Sequence, residues 1–461
     1  MGKRLLIQGG AVVSADPAIR ELREGDVLIE DDTILEVAHS IAADCEVLDA
    51  TGMVVMPGLV DSHRHLWQTL MRADSVDHVS ADLHDRQWPS VAAPCHAEDV
   101  YAAVLAGAAD ALNSGVTSVL DWCHVVNTPE HAEENVRALR EIGIRTRFMY
   151  GGSKRPELGD ASSDGKWAHA RALYARDFSG SDNLVSFGLA LAGPDFTTME
   201  ITAADIAVAR ELGVPMAIHV GISAGRTPKQ SIKRLNEAGL LGPDLNFAHC
   251  CDATDEELGM LAAAGCTATA CPTLEMSFGM GMPVTGRLRD AGVRPAVGVD
   301  SVNGTGGDMF DELRVALLCE RSRRAQSIFA SGQAIQSVDQ LAFSSREALE
   351  SGTVNGADAM WLGEQVGSLT PGKKADVILL RAIDLNLAPL SDLVGAIVCG
   401  ANSGNVDTVM VGGRIAKRCG KLVGIDVDRI RRLLVQARDR AYSYDDYPGM
   451  RPPALASKST G

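Results

Sequence analysis

Apolar residues recur along the chain in two textures. Near the N-terminus they come as short runs broken by Gly, Asp and Pro: Leu5–Ile7, Ala11–Val13, Asp26–Glu30, Thr33–Val37 and Glu46–Leu48. Runs of this length between turn residues predict β-strands. The texture returns late, at Ala375–Leu380, Ile397–Cys399, Val406–Val411 and Gly413–Arg418. Both chain ends are therefore expected to build one small β-sandwich domain, from residues 1–57 and 366–425.

Between the ends the pattern alternates. Strand-like runs fall at Met53–Leu59, Thr117–Leu120, Thr146–Tyr150, Leu184–Leu191, Pro215–Val220, Asn246–Ala248, Thr267–Ala270 and Arg294–Val299. Helix-patterned stretches such as Ala97–Asn113, Pro129–Ile142, Ala203–Leu212 and Asp255–Ala264 separate them. Strands alternating with helices in this way predict an α/β fold, a (β/α)8 barrel over residues 58–365. A doubly wound sheet would carry a Gly-rich phosphate turn after its first strand, and none is present. Residues 426–441 read as a charged amphipathic helix, followed to residue 461 by a polar, Pro-containing tail.

Composition narrows the partner. The 461 residues carry a formal net charge of −17, which argues against nucleic acid or an anionic membrane surface. Aromatic content of 4% argues against stacking platforms for single strands. A small-molecule substrate remains. The ten cysteines form no CxxC pair, so they read as reduced thiols of a cytoplasmic protein rather than a zinc knuckle. The apolar stretch after Lys3-Arg4 is too short for a signal peptide, and no run is long enough to span a membrane.

The sharpest local feature is Pro57-Gly58-Leu59-Val60-Asp61-Ser62-His63-Arg64-His65. Residues two apart on a strand point to one side, so both imidazoles project from the end of the first barrel strand. Taken alone, two surface histidines explain the motif equally well. Three further residues change that balance: His219, His249 and Asp300 each end a predicted strand, the fifth, sixth and eighth. The C-terminal strand ends are where barrels build active sites. His63, His65, His219 and Asp300 are expected to hold one divalent metal per chain, zinc in the first instance, with Fe, Co or Mn as alternatives set by availability. Metal-bound hydroxide would attack the substrate. Asp300 would take and return the proton, and His249 would hydrogen-bond the attacked oxygen or the water, with contact to the metal as a further role open to it.

Other residues admit both a functional and a blander role. Gln68, His124, Met276, Phe278 and Asn303 are candidate substrate contacts, although core packing or loop placement would account for each. Trp67 fits core packing equally well, and Ser301 flanks Asp300 and could orient it. Asp195 and Glu275 are candidate acids, with plain loop carboxylates as the alternative. Lys154 reads as a solvated loop lysine rather than a bridge to a second metal, and Cys250-Cys251 as buried thiols. Gly304-Thr305-Gly306-Gly307 lacks the lysine of a phosphate cradle.

The order strand–His-x-His, His, His, Asp on a barrel with a split β-domain resembles the amidohydrolase superfamily. The stretch Val55–His65 and the exit Thr353-Val354-Asn355-Gly356-Ala357 to Gly372-Lys373-Lys374-Ala375-Asp376 carry the likeness essentially end to end. Cys271-Pro272 and Gly298-Val299-Asp300 are similar to the one-metal branch of cytosine, guanine and adenosyl-homocysteine deaminases and triazine hydrolases. The resemblance implies a metal-dependent hydrolase of C–N bonds other than peptide bonds and, by analogy, a homo-oligomer. One departure stands out. Deaminases of that branch carry His-x-x-Glu on the fifth strand, and here the run is His219-Val220-Gly221-Ile222. Isoleucine moves no proton. The run His63–Thr69 and the absent glutamate are similar to hydrolases of phenylurea and thiocarbamate (molinate) herbicides. The leading expectation is therefore cleavage of an amide, urea or carbamate of a small, largely apolar molecule. The alternative is deamination or dechlorination of a purine, pterin, pyrimidine or triazine.

Overall fold

The apolar run at 53–59 breaks at Gly58, and the chain there leaves one sheet for another. The computed structural model describes residues 2–80, 91–152, 163–180, 184–222 and 228–442. Lys154 and the predicted tail beyond 442 lie outside the described residues. In chain order the strands are β1 Arg4–Val13, β2 Glu21–Glu30, β3 Thr33–Ala38, β4 Glu46–Asp49, β5 Met53–Pro57, β6 Leu59–Arg64, β7 Val116–Val126, β8 Arg145–Gly152 and β9 Val185–Leu191. They continue as β10 Met216–Val220, β11 Leu245–His249, β12 Thr267–Ala270, β13 Pro295–Val297, β14 Val377–Arg381, β15 Val406–Val411, β16 Arg414–Arg418 and β17 Lys421–Leu422.

Strands β6 to β13 pair in sequence order, every pair parallel. Helices occupy the connections, including Ala97–Asn113, Pro129–Ile142, Met199–Leu212 and Asp255–Ala263. This is the expected (β/α)8 barrel. The ring closes at its rim, where Arg64 and Asp300 form an isolated parallel bridge. Asp300 N donates to His63 O at 2.8 Å, and His65 N donates to Asp300 O at 2.7 Å.

The other strands form one nine-stranded sheet from both chain ends, in the order β17-β16-β15-β14-β5-β1-β2-β3, with β4 beside β1. Antiparallel pairing of β14 with β5 sets the returning chain against the outgoing one. The sheet has its own apolar core, which includes Ile7, Val27, Ile34, Val55, Val377 and Met410. A buried ion pair ties it to the barrel: Arg145 donates to both carboxylate oxygens of Asp376, at 2.9 Å each. The helix Val427–Ala441 lies against Ala97–Asn113, and Arg440 pairs with buried Asp99.

Two local expectations are corrected. Met53–Leu59 is two strands, β5 in the terminal sheet and β6 in the barrel. A side chain at Gly58 would run into Thr117, so the close crossing of the two layers requires glycine there. Ile397–Cys399 belongs to the helix Leu393–Gly400, not to a strand. Asp392 caps that helix by accepting from Gly395 N, and Leu393, Val394, Ile397 and Val398 are buried at helical spacing. A short apolar run does not by itself distinguish the two states.

Candidate metal centre and active site

The inward face of β6 carries Asp61 and His63, and His65 follows at its end; all three are buried. His65 Nδ1 lies 2.8 Å from Trp122 O. A carbonyl only accepts, so Nδ1 carries the proton there and Nε2 is left as a lone-pair donor. Nε2 of His65 is 3.3 Å from Asp300 Oδ1, and Nε2 of His63 is 3.9 Å from the same oxygen. His219, on β10, places its Nε2 3.1 Å from that of His63. Its ring lies against Trp122, with centroids 3.9 Å apart. His249 ends β11 and turns its Nε2 to Asp300 Oδ2 at 3.3 Å. The two oxygens of Asp300 therefore face different partners.

The backbone is bent to make this arrangement. His249 and Asp300 have φ of +75° and +62°, in the left-handed region that non-glycine residues rarely adopt. Such strain persists only where the surroundings fix it, and it concentrates at functional sites. Here Asp300 is held by its two rim hydrogen bonds to the His-x-His segment. Asp61 adds a third tie by accepting from Val299 N at 3.0 Å.

The donor set fits a divalent cation. Ligand atoms of His63, His65 and Asp300 lie within 4.8 Å of one another, as do those of His63, His219 and His249. Imidazole nitrogens about 2.1 Å from a tetrahedral zinc ion lie roughly 3.4 Å apart, and the separations here bracket that value. Burial and the neighbouring imidazoles hold His63 and His219 well below the ordinary histidine value, so both stay neutral, as ligands must. Burial pushes Asp300 up to about 7, against the opposing pull of His249. His249 is raised: burial lowers it, but the Glu275 hydrogen bond and the Asp300 charge outweigh that. A third grouping joins His249, Cys271 and Asp300 within the same 4.8 Å.

Around this cluster the candidate contacts fall unevenly. His124 packs edge-on against His65, with centroids 4.3 Å apart, and accepts from Trp67 Nε1 at 3.3 Å. Gln68 is buried in the turn after His65, and its Oε1 has no partner among the described residues. Asn303 is buried, with its backbone oxygen accepting from Ser75 N and its Oδ1 likewise unpartnered. Phe278 is buried against Cys271 and Leu274. Met276 points outward, 48% exposed, with its sulfur on Cys319. Asp195 is engaged elsewhere: it accepts from Gly221 N at 3.0 Å and from Ser231 Oγ, pinning the turn after β10. Cys250 is fully buried, and Cys251 is partly so. Ile222 is half-buried and brings no acid.

Two contributions escaped sequence reasoning. Trp122 supplies both the carbonyl that orients His65 and the ring under His219. Its place two residues before His124 on one strand puts both on the same face, a signal open to inspection. Glu275, considered only as a spare acid, is fully buried and bonded to His249 Nδ1 at 3.2 Å. Nothing in the local sequence announces that contact.

Comparison with known proteins agrees with this architecture. The Amidohydrolase family model matches residues 54–416. The 5'-deoxyadenosine deaminase of Methanothermobacter thermautotrophicus is 29% identical over 434 residues, covering 91% of this chain and 94% of that protein. The 5-methylthioadenosine/S-adenosylhomocysteine deaminase of Pyrococcus furiosus is 28% identical over 439 residues, covering 92% and 98%. Among solved structures, a zinc-bound adenosine deaminase from Xanthomonas campestris superposes with a TM-score of 0.80 at 23% identity, covering 95% of this chain and 98% of that one. A variant of atrazine chlorohydrolase from Arthrobacter aurescens, complexed with zinc and atraton, gives 0.83 at 21%, covering 94% and 100%. With its barrel, its rim of histidines and Asp300, and a match across residues 54–416, the chain belongs to the amidohydrolase family.

Proposed function

We propose that the chain is an aminohydrolase releasing ammonia from an amino-substituted nitrogen heterocycle, with nucleoside-like adenine compounds as the first class to try. The observation that carries the hydrolytic part is Asp300, whose one oxygen faces the histidine donors while the other faces His249 Nε2. The choice of a ring amine is supported by full-length relatives that are deaminases of 5'-deoxyadenosine and 5-methylthioadenosine. This moves the balance from the acyclic amide or urea expected from the sequence to its alternative.

His63, His65, His219 and Asp300 would hold one divalent ion, zinc in the first instance. Bound there, it supplies a Lewis acid and lowers the pKa of a coordinated water. Asp300 accepts the water's proton on its outer oxygen and returns it to the departing amine. His249 presents Nε2 beside Asp300 Oδ2, where its lone pair accepts a hydrogen bond from the attacking water and orients it. Gln68, His124, Phe278 and Asn303 are assigned to hold the ring, while Met276 sits at the rim. We assign catalysis to residues 58–365 and treat the terminal strands as their cover.

A second reading rests on Ile222. Without an acid at that position a ring nitrogen lacks its expected proton donor, whereas an acyclic urea or carbamate needs none. The test is metal content by mass spectrometry beside a screen of 5'-deoxyadenosine, 5'-methylthioadenosine, triazines, amides, ureas and carbamates. Ammonia from a heterocycle with about one metal per chain is the expected result. Amine release from the acyclic compounds alone would move the assignment to the second reading. Metal-free, inactive protein that stays inactive on metal addition would remove both.

A further inference from the structure

We infer that Glu275 is a positioning residue that fixes the ring and tautomer of His249, so that His249 presents a bare Nε2 to the reaction centre beside Asp300. The kinetic part of this inference rests on the hydrolytic reading above; the structural part does not.

The contact is a built one. Glu275 lies on the short helix Pro272–Ser277 that follows β12, with none of its surface exposed. Its Oε1 accepts from Cys271 N at 2.7 Å. The same oxygen is 3.2 Å from His249 Nδ1. The oxygen that already accepts the Cys271 amide proton offers Nδ1 a lone pair, so the imidazole donates. With Nδ1 protonated in the neutral ring, Nε2 is the acceptor, and it stands 3.3 Å from Asp300 Oδ2. Glu275, His249 and Asp300 thus form a continuous line from the β12 loop through the end of β11 to the rim beyond β13. The left-handed turn at His249 aims the ring along that line.

The position of this line gives it a role. The fifth-strand acid expected from the family resemblance is replaced by Ile222. A different carboxylate reaches His249, that of Glu275 on the short helix after the seventh barrel strand. A carboxylate behind an imidazole orients the ring and raises its basicity, and losing such a partner typically costs roughly 10–100-fold in activity or metal affinity. The bland account is that Glu275 only caps the helix through Cys271 N. Glutamine separates the two accounts, because its amide oxygen keeps the cap and removes the charge at Nδ1.

The experiment uses the full-length protein with histidines labelled with nitrogen-15. Nitrogen NMR of the zinc-loaded wild type should show His249 protonated at Nδ1 and bare at Nε2. The reverse tautomer would overturn the inference without any substrate being known. With ammonia release from 5'-deoxyadenosine as the assay, Glu275→Gln should lower kcat by roughly 10–100-fold. KM should stay within about threefold and zinc content should match wild type. Placed on a His249→Ala background, Glu275→Gln should cause no further loss, since it acts through that ring. Unchanged kcat in the single variant, or losses that multiply in the double, would leave Glu275 as a helix cap. Failure of 5'-deoxyadenosine to react would count against the proposed function, and the tautomer would still be read.

Discussion

At Asp300 a proton and a metal ion compete for the same carboxylate. Burial raises its carboxyl to about 7, so below that pH the metal-free protein holds a proton that a cation must displace. His63 and His219 are held well below their ordinary value and add no competing proton in this window. Zinc should therefore raise the melting temperature more at pH 8 than at pH 6, read by differential scanning fluorimetry. Equal gains at the two values would mean that Asp300 is not a ligand. The five rim residues were legible because each is a metal-compatible type at the end of an apolar run. The grip of Glu275 on His249 was not, because it joins residues 26 positions apart through a side chain that local patterning treats as an ordinary loop acid.

Among the elements, the seam between β13 and β6 leaves no room for a side chain at Gly298. A Cβ added at Gly298, just past β13, would lie 2.6 Å from both the backbone N and O of His63. Gly298→Ala must push the last strand from the first and carry Asp300 away from the histidines. We expect a stability loss of about 1–3 kcal/mol by urea unfolding, as for other overpacked sites, together with reduced zinc occupancy. Full occupancy at wild-type stability would show the seam to be pliant. Barrel strands were readable because they are buried on both faces and so keep continuous apolar runs. The two misread segments show the limit of that signal. Met53–Leu59 is apolar throughout although it serves two sheets, and Ile397–Cys399 is apolar because its helix packs inward. Hydrophobicity reports burial there, while the break at Gly58 and the cap at Asp392 decide the geometry.

The molecule as a whole depends on the joint between its two sheets. Arg145 on β8 and Asp376 before β14 are both buried, and Asp376 also accepts from Gly412 N at 2.8 Å. Removing one partner strands the other's charge away from water. Asp376→Ala should cost about 3–5 kcal/mol in urea unfolding, far beyond a surface pair. A change below 1 kcal/mol would mean that water reaches the guanidinium once the carboxylate is gone. The split layout of the terminal sheet was foreseeable from matching textures at both chain ends, but this joint was not, since an Arg and an Asp far apart in sequence carry no visible label.

The rim hydrogen bonds that close the barrel also set a timetable. The segment carrying His63 and His65 is made early, and its partner across the seam is met only 238 positions later, where Asp61 receives Val299 N. Contacts of such long sequence separation form late, because the intervening loop must first be ordered. A nascent chain that has not reached Asp300 has neither a closed ring nor its fourth donor. With the proposed ligand set, metal capture would wait until the chain has passed Asp300 and the ring has closed, and a shorter chain would offer stray cations only histidines on open strands.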